Sequence, residues 1–373
     1  MKRLVLLLAL PLLLGIPARA VEVSAPSALL MEKETGTILY AKDEHAKLEP
    51  ASVTKVMTLL LTMEAIDSGA LTWDTVITAS AHACSMGGSQ IWLKENEQMS
   101  VADMVKAVCV VSANDCSMAL AEHISGSEDA FVQRMNQRAA ELGMTDTTFK
   151  NPTGLPAEGH VTSAHDIAVM SRELIRNHPE IRQYTTIWMD SLRNGESELV
   201  NTNKLIRFYD GATGLKTGST DSALYCLSGT AERDGMELIS VIMKASTSAQ
   251  RFEDAKTLLS YGFSTYMLKT IVPETPLIPI PVSLGTQATV QPIPGNGSTV
   301  LLEKSRSADL RQVVTLPETL TAPLCEGDVL GTMTVFTGDT VLTEIPLLAG
   351  EDIPRITYLQ QLLRLLPQAF MAA

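Results

Sequence analysis

Ser52-Val53-Thr54-Lys55 places a hydroxyl and an amine three residues apart, just ahead of a long apolar run. If that run is helical, both side chains lie on one face of its first turn. A serine hydroxyl is a weak nucleophile at neutral pH and needs a base beside it. None of the six histidines stands in a Ser/His/Asp-type arrangement. Lysine serves as the base when burial or a neighbouring cation lowers its pKa. Two further triplets, Ser112-Ala113-Asn114 and Lys216-Thr217-Gly218, follow at gaps of roughly 60 and 100 residues, which suits groups assembled by folding rather than by local sequence. Ser112 and Asn114 offer short polar groups to a cleft. Lys216 and Thr217 offer a cation and a hydroxyl to a substrate carboxylate, and Gly218 lets a substrate backbone come close. Ser-x-x-Lys alone is commonplace. Three triplets in this order predict acyl transfer through Ser52.

The elements that must hold these groups are legible from pattern. Residues 56–63 form the apolar run and read as a buried helix with Ser52 at its start. The helix N-terminus there disfavours a cation, as a second lysine nearby would. Ser100-Val101-Ala102-Asp103 is a capping box opening a helix through Val110, and another helix begins near Asp115, which leaves 112–114 as a tight interhelical loop. Ser163-Ala164-His165-Asp166 is a second capping box, opening a helix over 167–177. Residues 224–230 and 236–243 read as strands joined by Glu232-Arg233-Asp234-Gly235, and the Lys216 triplet is expected to open an edge strand beside them. Residues 28–32 and 37–40 form a hairpin around Lys33-Glu34-Thr35-Gly36, and a helix over about 248–261 closes this part of the chain.

After Ile271 helix signals vanish. Proline is dense at 273, 276, 279, 281, 292 and 294, and alternating runs at 299–302 and 332–336 predict a small all-β, sandwich-like domain without a catalytic motif. From Pro354 onward Ile356, Leu359, Leu362, Leu363, Leu366 and Phe370 fall on one helical face, with Gln360, Gln361, Arg364 and Gln368 on the other. That stretch is too short to span a bilayer but long enough to lie in its interface; packing on its own domain or in a dimer is the alternative. Met1-Lys2-Arg3, an apolar run to Ile16 and Ala18-Arg19-Ala20 read as a secretory signal peptide with a small-x-small cleavage site. The expected division is therefore 1–20 signal peptide, 21–268 catalytic domain, 269–350 β domain and 351–373 tail.

Composition excludes other classes. At 373 residues and 45% hydrophobic content the chain can bury a large core. A formal net charge of −13 argues against nucleic-acid binding. Five scattered cysteines, Cys84, Cys109, Cys116, Cys226 and Cys325, show neither disulfide-framework nor metal spacing. Cys116 reads as a small buried apolar residue. His160 and His165-Asp166 lack a His-Glu-x-x-His partner, so neither a metal nor another cofactor is expected.

More than the triplets resembles a known family. Pro50-Ala51-Ser52-Val53-Thr54-Lys55-Val56-Met57-Thr58, Phe149-Lys150-Asn151-Pro152-Thr153-Gly154-Leu155-Pro156 and Asn201-Thr202-Asn203-Lys204-Leu205 are similar to blocks of the serine-type D-alanyl-D-alanine carboxypeptidases, the low-molecular-weight penicillin-binding proteins. The likeness covers roughly residues 25 to 350. It implies a two-lobed α/β domain of the serine DD-peptidase/β-lactamase kind, with an antiparallel sheet, a helical lobe and the active site between them. It implies that Ser52 attacks the D-Ala-D-Ala bond of a peptidoglycan stem peptide and Lys55 takes the serine proton. Ser112 would protonate the leaving amine, Asn114 orient the substrate and Lys55, and Lys216, Thr217 and Gly218 hold the carboxylate end. The backbone N–H groups of Ser52 and Ser219 would form the oxyanion hole. β-Lactams are then covalent inhibitors, and the enzyme works outside the cytoplasmic membrane, tethered by its tail. A β-lactamase is disfavoured because 144–152 read Met-Thr-Asp-Thr-Thr-Phe-Lys-Asn-Pro where such an enzyme carries its deacylating glutamate. DD-endopeptidase or transpeptidase activity shares the acyl-enzyme and stays open. A non-catalytic wall-binding or β-lactam-sensing protein is disfavoured by the intact set of groups.

Overall fold

The computed structural model describes residues 21–295 and 297–362. Its centre is a five-stranded antiparallel sheet. β1 (Ser27–Glu32) and β2 (Ile38–Lys42) form the first hairpin; after a short hairpin of β3 (Met189–Leu192) and β4 (Ser197–Val200) come β5 (Ala212–Thr220), β6 (Leu224–Arg233) and β7 (Met236–Ala245), in the sheet order β2-β1-β7-β6-β5. β1 is buried along its whole length, so its alternation feeds two cores. Leu29 and Met31 join the helical lobe's core, whereas Ala28 and Leu30 pack with Leu258 and Leu259 of the long C-terminal helix Ser248–Thr265.

The helical lobe is built around α1 (Lys55–Asp67), preceded by a 3-10 turn at Ala51–Thr54. Residues 55–63 are buried all round, which is why the sequence there is apolar without an outer polar face. α2 (Val101–Val110) and α3 (Asn114–Ser125) follow. The capping serines behave as their pattern demands: Ser100 Oγ accepts from Asp103 N at 3.1 Å and Ser163 Oγ from Asp166 N at 3.2 Å.

One expectation is corrected. The strand carrying Lys216 begins at Ala212, so the triplet lies in its second half instead of opening it. The Asp210–Gly214 stretch has the composition of a loop, but Asn203 Nδ2 donates to Gly214 O at 2.7 Å and Thr185 Oγ1 to Thr213 O at 2.6 Å, holding Ala212–Gly214 extended on the open edge.

From Tyr266 to Thr357 the described chain is strands joined by loops and short turns. A four-stranded sheet (Pro292–Pro294, Thr340–Ala349, Val329–Thr337, Leu310–Thr315) packs Met333, Val335, Ile345 and Leu347 against Val300 and Leu302. The tail differs from its sequence pattern at the start. Residues 353–356 are tied into the β domain, Thr286 N donating to Pro354 O at 2.9 Å and Ile356 N to Leu284 O at 2.8 Å. Helix therefore begins at Tyr358, and Tyr358, Leu359 and Leu362 are exposed. Leu363, Leu366 and Phe370 lie outside the described residues, as does the signal peptide of 1–20. Among the described residues no helix is long and apolar enough to cross a membrane.

Candidate active site

Ser52 sits half-buried in the 3-10 turn, and Lys55 is the first residue of α1. Lys55 Nζ lies 3.0 Å from Ser52 Oγ and donates to Thr153 O at 2.6 Å. Its side chain has no solvent exposure, and among the described residues no carboxylate pairs with it within salt-bridge distance. Burial drives its pKa well below the usual lysine range, and the Lys216 ammonium pushes the same way; the Asp115 carboxylate opposes them with a smaller effect. Lys55 is thus a buried amine poised to be neutral beside a hydroxyl.

A turn over 151–155 presents that carbonyl. Asn151 Oδ1 accepts from the N–H groups of Thr153 and Gly154, at 3.2 and 2.7 Å, and Asn151 Nδ2 donates to Leu155 O at 2.9 Å. This is the Asx-type closure that asparagine favours. Gly154 adopts φ +81°, and a Cβ there would stand 1.9 Å from Ala51 O. The turn is locked against the residue preceding the nucleophile. His160 Nε2 meets Thr54 Oγ1 at 2.9 Å, and burial lowers its pKa to about 4, so it is a neutral strut.

β5 crosses the 3-10 turn bearing Ser52 from the other side. A Cβ on Gly218 would lie 2.7 Å from Pro50 O and 2.9 Å from Ser52 N. The backbone that crowds Gly218 is thus the protein's own. Lys216 is almost fully buried, and burial, with the Arg251 guanidinium acting in the same direction, brings its pKa down to about 7. The neighbouring Cys109 thiol is pushed up to about 12 by burial, so at neutral pH it carries no charge to steady the ammonium. Lys216 Nζ donates to Thr217 O at 3.0 Å. Arg251 is buried behind the strand and donates to Gly218 O and Cys226 O at 3.0 and 3.1 Å. Ser219, next along, is exposed.

The third wall is the loop between α2 and α3. Ser112 takes φ +65°, and its Oγ and Asn114 Oδ1 are buried without a hydrogen-bond partner among the described residues. Unpaired buried polar atoms are costly, and this triplet holds two of them. Asn114 is pinned by its other groups: N to Ser89 O at 2.7 Å and Nδ2 to Gly87 O at 2.6 Å. Asp115 Oδ2 accepts from Ile91 N and Leu93 N at 3.1 and 3.0 Å, holding the same strap. Thr202 ties this wall to β5: its N–H donates to Val110 O at 3.0 Å, and its Oγ1 lies 2.7 Å from Thr217 Oγ1. Asp115 and Arg251 carry no motif of their own, while Thr153 and Thr202 lie inside the two further family-like blocks without a role that the sequence assigns. The Asn-Pro-x-Gly turn signal at 151–154 is the available clue to Thr153. Among the described residues no group of three His, Cys, Asp or Glu is arranged to hold a metal.

Comparison with known proteins gives consistent matches. Residues 16–247 match the family model described as D-alanyl-D-alanine carboxypeptidase, and residues 268–355 that of the penicillin-binding protein 5 C-terminal domain. The D-alanyl-D-alanine carboxypeptidase DacF of Bacillus subtilis is 40% identical over 345 residues, covering 90% of this chain and 88% of that protein. The crystal structure of penicillin binding protein 5 from Haemophilus influenzae superposes with a TM-score of 0.78 at 29% identity, covering 90% of this chain and 98% of that one. Penicillin-binding protein D2 of Listeria monocytogenes, solved in its ampicillin-bound form, gives 0.60 at 34% identity, covering 65% of this chain and 98% of that one.

Proposed function

Because the chain belongs to the D-alanyl-D-alanine carboxypeptidase family of serine peptidases, we propose that it removes the terminal D-alanine of peptidoglycan stem peptides through an acyl-enzyme on Ser52. Neutral Lys55 takes the Ser52 proton as Oγ attacks the carbonyl carbon of the D-Ala-D-Ala bond. The resulting oxyanion is stabilised by the backbone N–H groups of Ser52 and Ser219, a contribution of about 3 kcal/mol for one such donor. The C–N bond then breaks, and the amine of the departing D-alanine takes a proton relayed through Ser112. Asn114 orients the substrate amide. Lys216 and Thr217 hold the terminal carboxylate, which fixes the exo-type specificity. Water attacks the acyl carbon, Lys55 accepts its proton, and Ser52 leaves with a proton returned to Oγ.

The observation that carries this reading is Lys55: wholly buried, unpaired by any carboxylate among the described residues and 3.0 Å from Ser52 Oγ. Benzylpenicillin should form a stoichiometric adduct on Ser52, read by mass spectrometry of the intact protein and its peptides. An adduct that survives Ser52→Ala overturns the assignment. The penicilloyl-enzyme should hydrolyse slowly, since 144–152 lack a deacylating glutamate; rapid multiple turnover would favour a β-lactamase. Offering a D-amino acid or diamino acceptor and comparing transfer with hydrolysis separates a transpeptidase from a carboxypeptidase. We further infer export by the 1–20 segment, extracytoplasmic action, a catalytic unit over 21–268 and attachment to the membrane surface by the tail.

A further inference from the structure

Thr217 is assigned to the terminal carboxylate above, and the role argued for Thr202 rests on that reading. A threonine hydroxyl has one proton to give. If the Thr217 proton points at another protein acceptor, it is lost to the substrate. Thr202 Oγ1 lies 2.7 Å from Thr217 Oγ1, close to the optimum for O–H···O. The two threonines differ in setting: Thr217 is 5% exposed, whereas Thr202 is exposed at the cleft edge.

Thr202 is held more firmly than an exposed residue normally is. On either side stand buried asparagines, Asn201 and Asn203. Asn201 Nδ2 donates to Ile187 O at 2.7 Å, and its Oδ1 accepts from Asn203 N at 2.8 Å. Asn203 Nδ2 donates to Gly214 O at 2.7 Å, on the same strand as Thr217. The Thr202 N–H is fixed on Val110 O, two residues before Ser112. Three backbone anchors on three different segments thus aim one hydroxyl at Thr217.

We propose that Thr202 is a positioning residue for carboxylate recognition: its hydroxyl donates to Thr217 Oγ1, which leaves the Thr217 proton free for the terminal carboxylate of the substrate. The chain Thr202 O–H to Thr217 O–H to carboxylate is cooperative, because each donated bond polarises the next hydroxyl. A charged acceptor at its end strengthens the effect. The chain discriminates between a free terminal carboxylate and a neutral terminus.

The test compares two short peptides, one ending in D-Ala-D-Ala and one in the D-Ala-D-Ala amide, in wild type, Thr202→Val, Thr202→Ser and Thr217→Val. Thr202→Val keeps the shape and removes the hydroxyl. Its kcat/KM for the free acid should fall by about tenfold, while the amide changes by less than about twofold, and Thr202→Ser should restore the acid preference. The double variant Thr202→Val/Thr217→Val should be no worse than Thr217→Val alone. Equal losses on acid and amide, or full additivity in the double variant, would assign Thr202 to structure only and overturn the proposal. Failure of the underlying reading takes a different form: wild type itself would then show no preference for the free acid, or Thr217→Val would keep the wild-type preference undiminished.

Discussion

At the residue scale the site depends on two lysines doing opposite jobs. Lys55 works only without its proton and Lys216 only with one. Burial lowers both, which helps the first and endangers the other. As pH falls through the Lys55 pKa, the base is protonated and acylation is lost; as pH rises through about 7, Lys216 in the free enzyme loses the charge that attracts the carboxylate. The kcat/KM profile for a D-Ala-D-Ala peptide should therefore be bell-shaped, with a descending limb near neutrality. Lys216→Arg keeps its charge throughout, so the descending limb should vanish while the ascending one stays. A limb unchanged in that variant belongs to another group. The triplets were legible because serine, lysine and asparagine at those spacings have few other reasons to recur together. Thr153 and Asp115 were not. Thr153 contributes a backbone carbonyl, which any residue type carries, and Asp115 has the sequence position of an ordinary first-turn acid of α3.

Elements explain why the residues hold still. The 3-10 turn bearing Ser52 is clamped between two glycines of distant segments, Gly154 on one side and Gly218 on the other. Gly154→Ala should force Ala51 and the Thr153 carbonyl apart. We expect acylation by a chromogenic β-lactam to slow by at least about tenfold, with a stability loss of roughly 1–3 kcal/mol for the left-handed backbone alone. Gly159 offers the control: it has a similar φ of +76°, but a Cβ there meets only Lys150 Cε at 3.4 Å. Gly159→Ala should lower the melting temperature and leave acylation unchanged, so equal slowing in both variants would remove the clamp from the explanation. Periodicity and capping located most helices and strands of this domain, because buried faces and orphan N–H groups constrain the local sequence. They missed the early start of β5, whose edge is satisfied by side chains from elsewhere.

At the scale of the whole molecule, the tail makes location testable. The exposed Tyr358, Leu359 and Leu362 continue an apolar face in the sequence beyond them, and Arg355 and Arg364 are its nearest cations. Binding to a bilayer surface should accordingly be apolar in origin and nearly insensitive to salt. Deletion must spare 353–356, which belong to the β domain by their hydrogen bonds. A chain ending at Thr357 should keep D-alanine release and stay in the supernatant when vesicles are sedimented, while the chain with its tail pellets with them at low and high salt alike. A tailless protein that still pellets, or a tailed one that never does, transfers the helix to self-packing or dimerisation.

The separation of Ser52, Ser112, Thr153 and Lys216 along the chain has one more consequence. No partly folded form of the catalytic unit brings Lys55 against Thr153 O and Gly218 over Ser52 N at once, since those contacts join residues about 100 or more positions apart. Covalent capture by a β-lactam is therefore a count of folded catalytic units. A brief pulse of a fluorescent penicillin during refolding or denaturation would stamp each chain that had completed the long-range assembly, and a gel would read the folded fraction without any optical signal from the protein itself.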